Sequence, residues 1–162
     1  MIEDNYTAQT EIPKGFIVFN IMRKEFCLDI NKVLTIISTK ELNHSQLFFD
    51  YTNNSIRYHD EIIPAIEFNY NEKSKYSKNY GSKYLILINH NENKIALFVN
   101  RIVDYIAVSR AMLNQLKFVP IQTKSLITGK IQYEEKNYLL LDLDQLLEET
   151  LKHVPRETYI KK

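Results

Sequence analysis

The sequence predicts an all-β fold, and three observations carry that expectation. About ten short segments rich in Ile, Val, Phe and Tyr recur along the chain, each bounded by polar, turn-forming residues. One of them, Phe26 to Asn31, alternates apolar and polar positions with the two-residue period of a strand. Helical periodicity is confined to two stretches. Short strands in this number belong to sandwiches or small barrels.

The first segment, Phe16-Ile-Val-Phe-Asn-Ile-Met22, is apolar on both faces, which predicts a central strand covered on both sides. After Arg23-Lys24, Phe26, Leu28 and Ile30 fall on one face and Cys27, Asp29 and Asn31 on the other. This predicts the second arm of a hairpin, with Cys27 on its polar side. A third strand is expected over residues 33–38, then a polar connection over 39–47 with room for a short helical turn. Further strands are expected at 55–58, 62–68, 84–89, 94–99, 104–108, 128–133 and 137–141.

A short helix is expected at 110–116 and a final one at 143–153. In the latter, Leu143, Leu146, Leu147, Leu151 and Val154 mark one apolar face, and Asp142 with Gln145 forms a variant of the capping box. That face must dock on the rest of the fold. The chain has three glycines, so its reversals fall to residues such as Asn53-Asn54 and His90-Asn91-Glu92-Asn93. Asn tolerates left-handed backbone better than other residues with a β-carbon. No internal sequence repeat is visible.

With 162 residues, 44% hydrophobic and 25% charged, the chain reads as an ordinary globular protein that can build a core without disulfides or metal. Residues 1–14 read as a loose arm and 154–162 as a tail. Within the domain at 15–153, the polar stretch 69–82 is the expected boundary between two subdomains. No apolar run approaches a membrane span, and Met1-Ile-Glu-Asp-Asn lacks the basic start and apolar stretch of a signal peptide. A cytoplasmic location is the expectation.

Chemistry is sparse. His44, His59, His90 and His153 lie far apart, in no zinc-like spacing, and Cys27 has neither a second cysteine nor an adjacent base. Glu134-Glu135 suits a hairpin turn, and Asp142 with Asp144 suits a helix start, where exposed amides favour acidic side chains. Phosphate-cradling and nucleophile-elbow motifs are absent. No catalytic residue, metal or cofactor is expected, and a compact β protein without such a constellation is expected to bind rather than react.

One stretch points elsewhere. Between Asn69 and Ser82, Tyr70, Tyr76 and Tyr80 interleave with Lys73, Lys75 and Lys78. Such a pattern can stack bases and neutralise phosphates, as in single-strand-binding barrels, and it is equally the composition of a solvated loop. A formal net charge of +1 lacks the wider basic field of a nucleic-acid binder, so no nucleic acid is expected.

The order of the segments resembles the CheW family of chemotaxis coupling proteins, a domain found also in the histidine kinase CheA and in CheV. Phe16-Ile-Val-Phe followed by Phe26-Cys-Leu-Asp-Ile-Asn-Lys-Val-Leu looks like the family's opening hairpin. Ile62-Ile-Pro-Ala-Ile-Glu-Phe68 looks like its proline strand. Tyr84-Leu-Ile-Leu, Ala96-Leu-Phe-Val-Asn-Arg-Ile-Val-Asp104, Ile127-Thr-Gly and Leu139-Leu-Leu-Asp-Leu-Asp-Gln-Leu-Leu147 fill the later places. The last is the most specific, and the resemblance spans about Phe16 to Glu148.

The departures are local. The family's Asn-Leu-Arg-Gly turn is Arg57-Tyr58-His59-Asp60 here, and its usual Glu is Thr35. Losing both members of an ion pair is milder than losing one, because no uncompensated charge remains. A mostly neutral His59 cannot, however, imitate an Arg fork toward a partner. Glycines usual near Asn54, Asp60, Ala96 and Lys130 are missing, and an Asp of the family is Asn100.

The resemblance implies two interlocked five-stranded SH3-like barrels with a C-terminal helix, and a hydrophobic crevice between them. It further implies a non-enzymatic scaffold in which the crevice receives the helical tip of a chemoreceptor. Other barrel edges would hold the regulatory domain of the CheA kinase. Carried over position by position, Val33, His59, Ile102 and Tyr105 would lie at or near the receptor crevice. For the apolar ones, barrel core is the competing location.

Overall fold

The computed structural model describes residues 14–42, 47–50, 55–67, 83–109, 115–120 and 126–152. Twelve strands and one α-helix lie within them. In order they are β1 (Gly15–Ile21), β2 (Lys24–Asp29), β3 (Val33–Ser38), β4 (Leu47–Asp50), β5 (Ser55–Tyr58) and β6 (Glu61–Glu67). There follow β7 (Tyr84–His90), β8 (Asn93–Val99), β9 (Arg101–Ala107), β10 (Lys117–Pro120), β11 (Ile127–Tyr133), β12 (Lys136–Leu141) and α1 (Leu143–Lys152). The fold is all-β with a C-terminal helix, as the sequence predicts.

The strands form two curled sheets, ordered β10-β11-β12-β2-β1-β9 and β3-β7-β8-β6-β5-β4. The four-residue strands β4 and β10 supply the sixth strand of each. The halves β1–β6 and β7–β12 follow one plan. A hairpin is laid down, the next strand crosses to the other sheet, and three antiparallel strands follow. The last of these pairs in parallel with the second arm of the other half's hairpin, β6 with β8 and β12 with β2. Each sheet therefore combines one half's hairpin with four strands of the other, which interlocks them.

This arrangement makes three cores, and side-chain alternation assigns residues to each. Ile17, Phe19 and Ile21 of β1 face a shared inter-sheet core with Phe26, Leu28, Ile86, Ile88, Ile95, Leu97 and Val99. The alternate residues Phe16 and Val18 face the interior of their own sheet with Ile106, Ile131 and Tyr138. Leu85, Leu87, Ala96 and Phe98 do the same in the other sheet. Strands β1, β7 and β8 are thus apolar on both faces because both faces are buried.

The same logic corrects one expectation. Cys27 does not lie on a polar face: it is buried in the core with Phe16 and Val18. Desolvation there pushes its thiol from the ordinary 9.0 up to about 12. The polar connection expected at 39–47 begins with a single 3₁₀ turn, Thr39–Glu41, and ends in β4. Strand β9 starts three residues earlier than expected. Most of the helix expected at 110–116 lies outside the described residues, and β10 begins at Lys117.

Four two-residue hairpin turns, Met22-Arg23, His59-Asp60, Asn91-Glu92 and Glu134-Glu135, hold both residues in the left-handed region, with φ between 47° and 72°. These are the primed turns whose twist matches that of antiparallel strands, and here they are built without glycine.

Helix α1 closes the interlock. The Gln145 N–H donates to Asp142 Oδ1 at 3.1 Å, while the Asp142 N–H donates to the Leu126 carbonyl at 2.9 Å. Asp142 therefore caps the helix as predicted, and its own amide is satisfied by the preceding loop. Although α1 continues from β12, it packs on β6 and β8 of the other sheet. Leu146 enters the inter-sheet core, flanked by Leu143 and Leu147. The imidazole Nε2 of His90, at the end of β7, lies 2.7 Å from Asp144 Oδ1 in the first helical turn.

Candidate functional site

The two crossing strands, β3 and β9, are the outermost members of their sheets on corresponding sides of the hairpins they pair with. Each carries a register shift near its start. In β3 it falls between Val33, paired with Ile88, and Thr35, paired with Leu87. In β9 it separates Ile102, paired with Phe19, from Asp104, paired with Val18. Val33 and Ile102 therefore occupy equivalent positions in the two halves. Both pack, partly exposed, against the margin of the inter-sheet core.

The shifts have a local consequence. An extra residue in one strand leaves its neighbours on their proper faces while re-aiming the side chain at the bulge. Leu34, the residue skipped in β3, is 48% exposed. Its counterpart in β9, Val103, instead packs on the interior of its own sheet.

Tyr105 pairs with Ile17, a residue of the inter-sheet core, and stays 47% exposed. Its hydroxyl lies 3.5 Å from the Lys14 carbonyl oxygen, as a donor. Val33, Ile102 and Tyr105 thus share the faces that bound the seam between the sheets. His59 is placed differently. It is exposed in the β5–β6 turn, its ring edge-on to Tyr58 at 4.2 Å between centroids, and Tyr58 packs on the interior core of its own sheet. Thr35, where the family has Glu, lies two residues after Val33 on β3.

A concavity of about 370 Å³, lined by none of Val33, His59, Ile102 and Tyr105, is formed by Gln115, Lys117, Gln132, Tyr133, Glu134, Glu135, Lys136 and Asn137. It lies at the β11–β12 hairpin end. Desolvation, with Glu134 as hydrogen-bond partner and like-charge neighbour, raises the Tyr133 phenol above its usual value. Among the described residues, no three His, Cys, Asp or Glu side chains converge as metal ligands, and no helix is long and apolar enough to cross a membrane. The Lys- and Tyr-rich stretch 69–82 lies outside the described residues.

Two residues at the seam escape the sequence reading. Leu34 reads as one more apolar residue of a strand, because the register shift that turns it outward leaves no local mark. Gly15 reads as strand punctuation, yet it is buried, and a β-carbon there would meet the Tyr105 ring.

Two interlocked sheets sharing a core, with a seam bounded by the crossing strands, define an all-β module built by strand exchange between its halves. The chain belongs to the CheW-like domain family, whose model matches residues 15–151. Among solved structures, it is similar to the scaffolding protein TtCheW from Thermoanaerobacter tengcongensis, with a TM-score of 0.56 and 18% identity. The match covers 81% of this chain and 90% of that one, and at this identity the likeness shows the fold. No curated protein sequence matches the chain.

Proposed function

We propose that this protein is a non-enzymatic cytoplasmic adaptor that couples chemoreceptors to the CheA histidine kinase. Val33, Ile102 and Tyr105 form the surface on which a receptor's helical tip docks, with His59 at its periphery, and other sheet edges hold the kinase regulatory domain. The observation that carries this reading is the equivalence of Val33 and Ile102. Two strands from opposite halves bring matching apolar side chains to the margin of one core. An amphipathic helix buries its apolar face in such a seam, and open strand edges accept a further strand.

Coupling then needs no chemistry. One partner positions the other, and small shifts at the seam pass through the shared core to the opposite sheet. The test is capture of purified receptor cytoplasmic fragments and of a CheA regulatory domain by this protein. Binding of both, with Ile102→Asp abolishing only receptor capture, is the expected result. Absence of both at concentrations that saturate an ordinary family member would overturn the proposal.

The altered turn favours a second reading, a divergent adaptor serving another signalling pathway or a specialised receptor. His59 stands where the family carries Arg, and Thr35 where it carries Glu. Capture by receptor tips of one class and not others separates the two readings.

A further inference from the structure

Gly15 begins β1 and pairs with Ala107 at the end of β9. A β-carbon built on it would lie 2.5 Å from the Tyr105 hydroxyl oxygen, 2.7 Å from Tyr105 Cε1 and 2.6 Å from the Ile106 carbonyl oxygen. Real β-carbons do not approach other atoms so closely. The Tyr105 ring therefore lies diagonally across β1 in the space a side chain at position 15 would fill. This is the geometry in which an aromatic covers a glycine on the neighbouring strand. The phenol reaches the Lys14 carbonyl at the end of this path.

The same kind of seat recurs on β11, where a β-carbon on Gly129 would lie 2.5 Å from the Phe118 ring of β10, but the place equivalent to Gly15 in the other half of the molecule is built differently. Counting registers from the two shifts, the counterpart of Gly15 is Tyr84, paired with Ser38, and the counterpart of Tyr105 is Ile36, paired with Ile86. Tyr84 and Ile36 both pack against the inter-sheet core. The β3–β7 pair thus puts a large side chain at the strand start and an aliphatic one diagonal to it. In the β1–β9 pair the two are exchanged, and the aromatic ring stays 47% exposed.

We infer that Gly15 is a positioning residue: by leaving its place empty it seats the Tyr105 ring across β1 as a fixed aromatic wall of the partner seam. The inference rests on the adaptor reading for the identity of the ligand, and on geometry alone for the seat. A Tyr held in one pose gives up little further rotamer freedom on binding, and such preorganised aromatics dominate interface energetics. With a methyl at position 15, the ring must swing outward and the Ile106 carbonyl must give way, so the wall is lost.

The experiment combines a mutant cycle with a resonance. Tyr105→Ala and Gly15→Ala should each weaken capture of a receptor cytoplasmic fragment about tenfold, the scale of an interface anchor. In the Tyr105→Ala background, Gly15→Ala should cost clearly less than in wild type, the remainder coming from its contact with the Ile106 carbonyl. Binding of the kinase regulatory domain should move with neither. In the unbound wild type, ring current from Tyr105 should shift the Gly15 Hα resonances upfield, and Tyr105→Leu should abolish the shift. This readout needs no folded Gly15→Ala protein. Additive losses in the cycle, or unshifted Gly15 resonances, would overturn the inference. If wild-type protein captures no receptor fragment, the adaptor reading fails, and the Gly15 resonances alone decide whether the seat exists.

Discussion

Asn100 Oδ1 accepts a hydrogen bond from the backbone N–H of Met22 at 2.8 Å, and the Asn100 N–H donates to the Asn20 carbonyl at 2.9 Å. Asn100 is the single residue between β8 and β9, where the chain passes from one sheet to the other. It thereby ties the crossing point to the β1–β2 turn, whose residues Met22 and Arg23 are left-handed and need their amides satisfied. Asn100→Leu should cost about 1 kcal/mol, the net worth of such a bond. Asn100→Asp, which keeps the acceptor and restores the family's residue, should cost less. Urea unfolding of the two variants checks this, and equal losses would contradict it.

The thiol of Cys27 makes stability sensitive to alkali. Its folded pKa is about 12 against an ordinary 9.0. Below pH 9 the thiol is neutral in both states and its contribution is complete. Between pH 9 and 12 only the unfolded chain ionises, so stability should fall as pH rises through this window. Tyr138, in the same core, is shifted upward by burial, with Glu25 and Asp104 adding, and acts in the same sense. Unfolding free energies measured from pH 8 to 10.5 should decline in wild type and decline less steeply in Cys27→Ala.

Glu92→Gly should stabilise. Position 92 has φ 67°, where a side chain costs roughly 1–2 kcal/mol, while glycine costs about 0.5–1 kcal/mol of chain entropy. The substitution leaves an Asn-Gly pair, the preferred sequence of this turn. A rise of about 2 °C in Tm is expected for a chain of this size. Glu92→Val, β-branched in the same conformation, should lower it.

Leu146 fastens α1 across the two sheets. It is fully buried in the shared core, so Leu146→Ala should cost about 2–5 kcal/mol. Because α1 leaves one sheet and packs on the other, unfolding should remain a single cooperative transition. Separate transitions for the two sheets would show that the shared core does not couple them.

Much of this architecture is legible in the sequence. Phe16 to Met22 announces two-sided burial, and the leucines from Leu143 mark the docking face of α1. The short strands β4 and β10 were not legible. In Leu47-Phe48-Phe49 three apolar residues run together with no alternation, and Pro120 argues against a strand unless it lies at an edge, where β10 is found. The late start expected for β9 has its cause at Val103, whose extra place in the register breaks the alternation of Arg101 to Asp104. Cys27 was misplaced because Asp29 and Asn31 lend their side of the strand a polar look. At the seam, Val33, Ile102 and Tyr105 came from family resemblance. Their equivalence, and the role of Gly15, need the register of paired strands, which no local pattern encodes.

The most direct measurement is simultaneous capture. Immobilised protein is offered a receptor cytoplasmic fragment and a CheA regulatory domain, alone and together. An adaptor retains each alone and both at once in a ternary complex, with Ile102→Asp releasing only the receptor fragment. Mutual displacement of the two partners, or retention of neither, would contradict the coupling role.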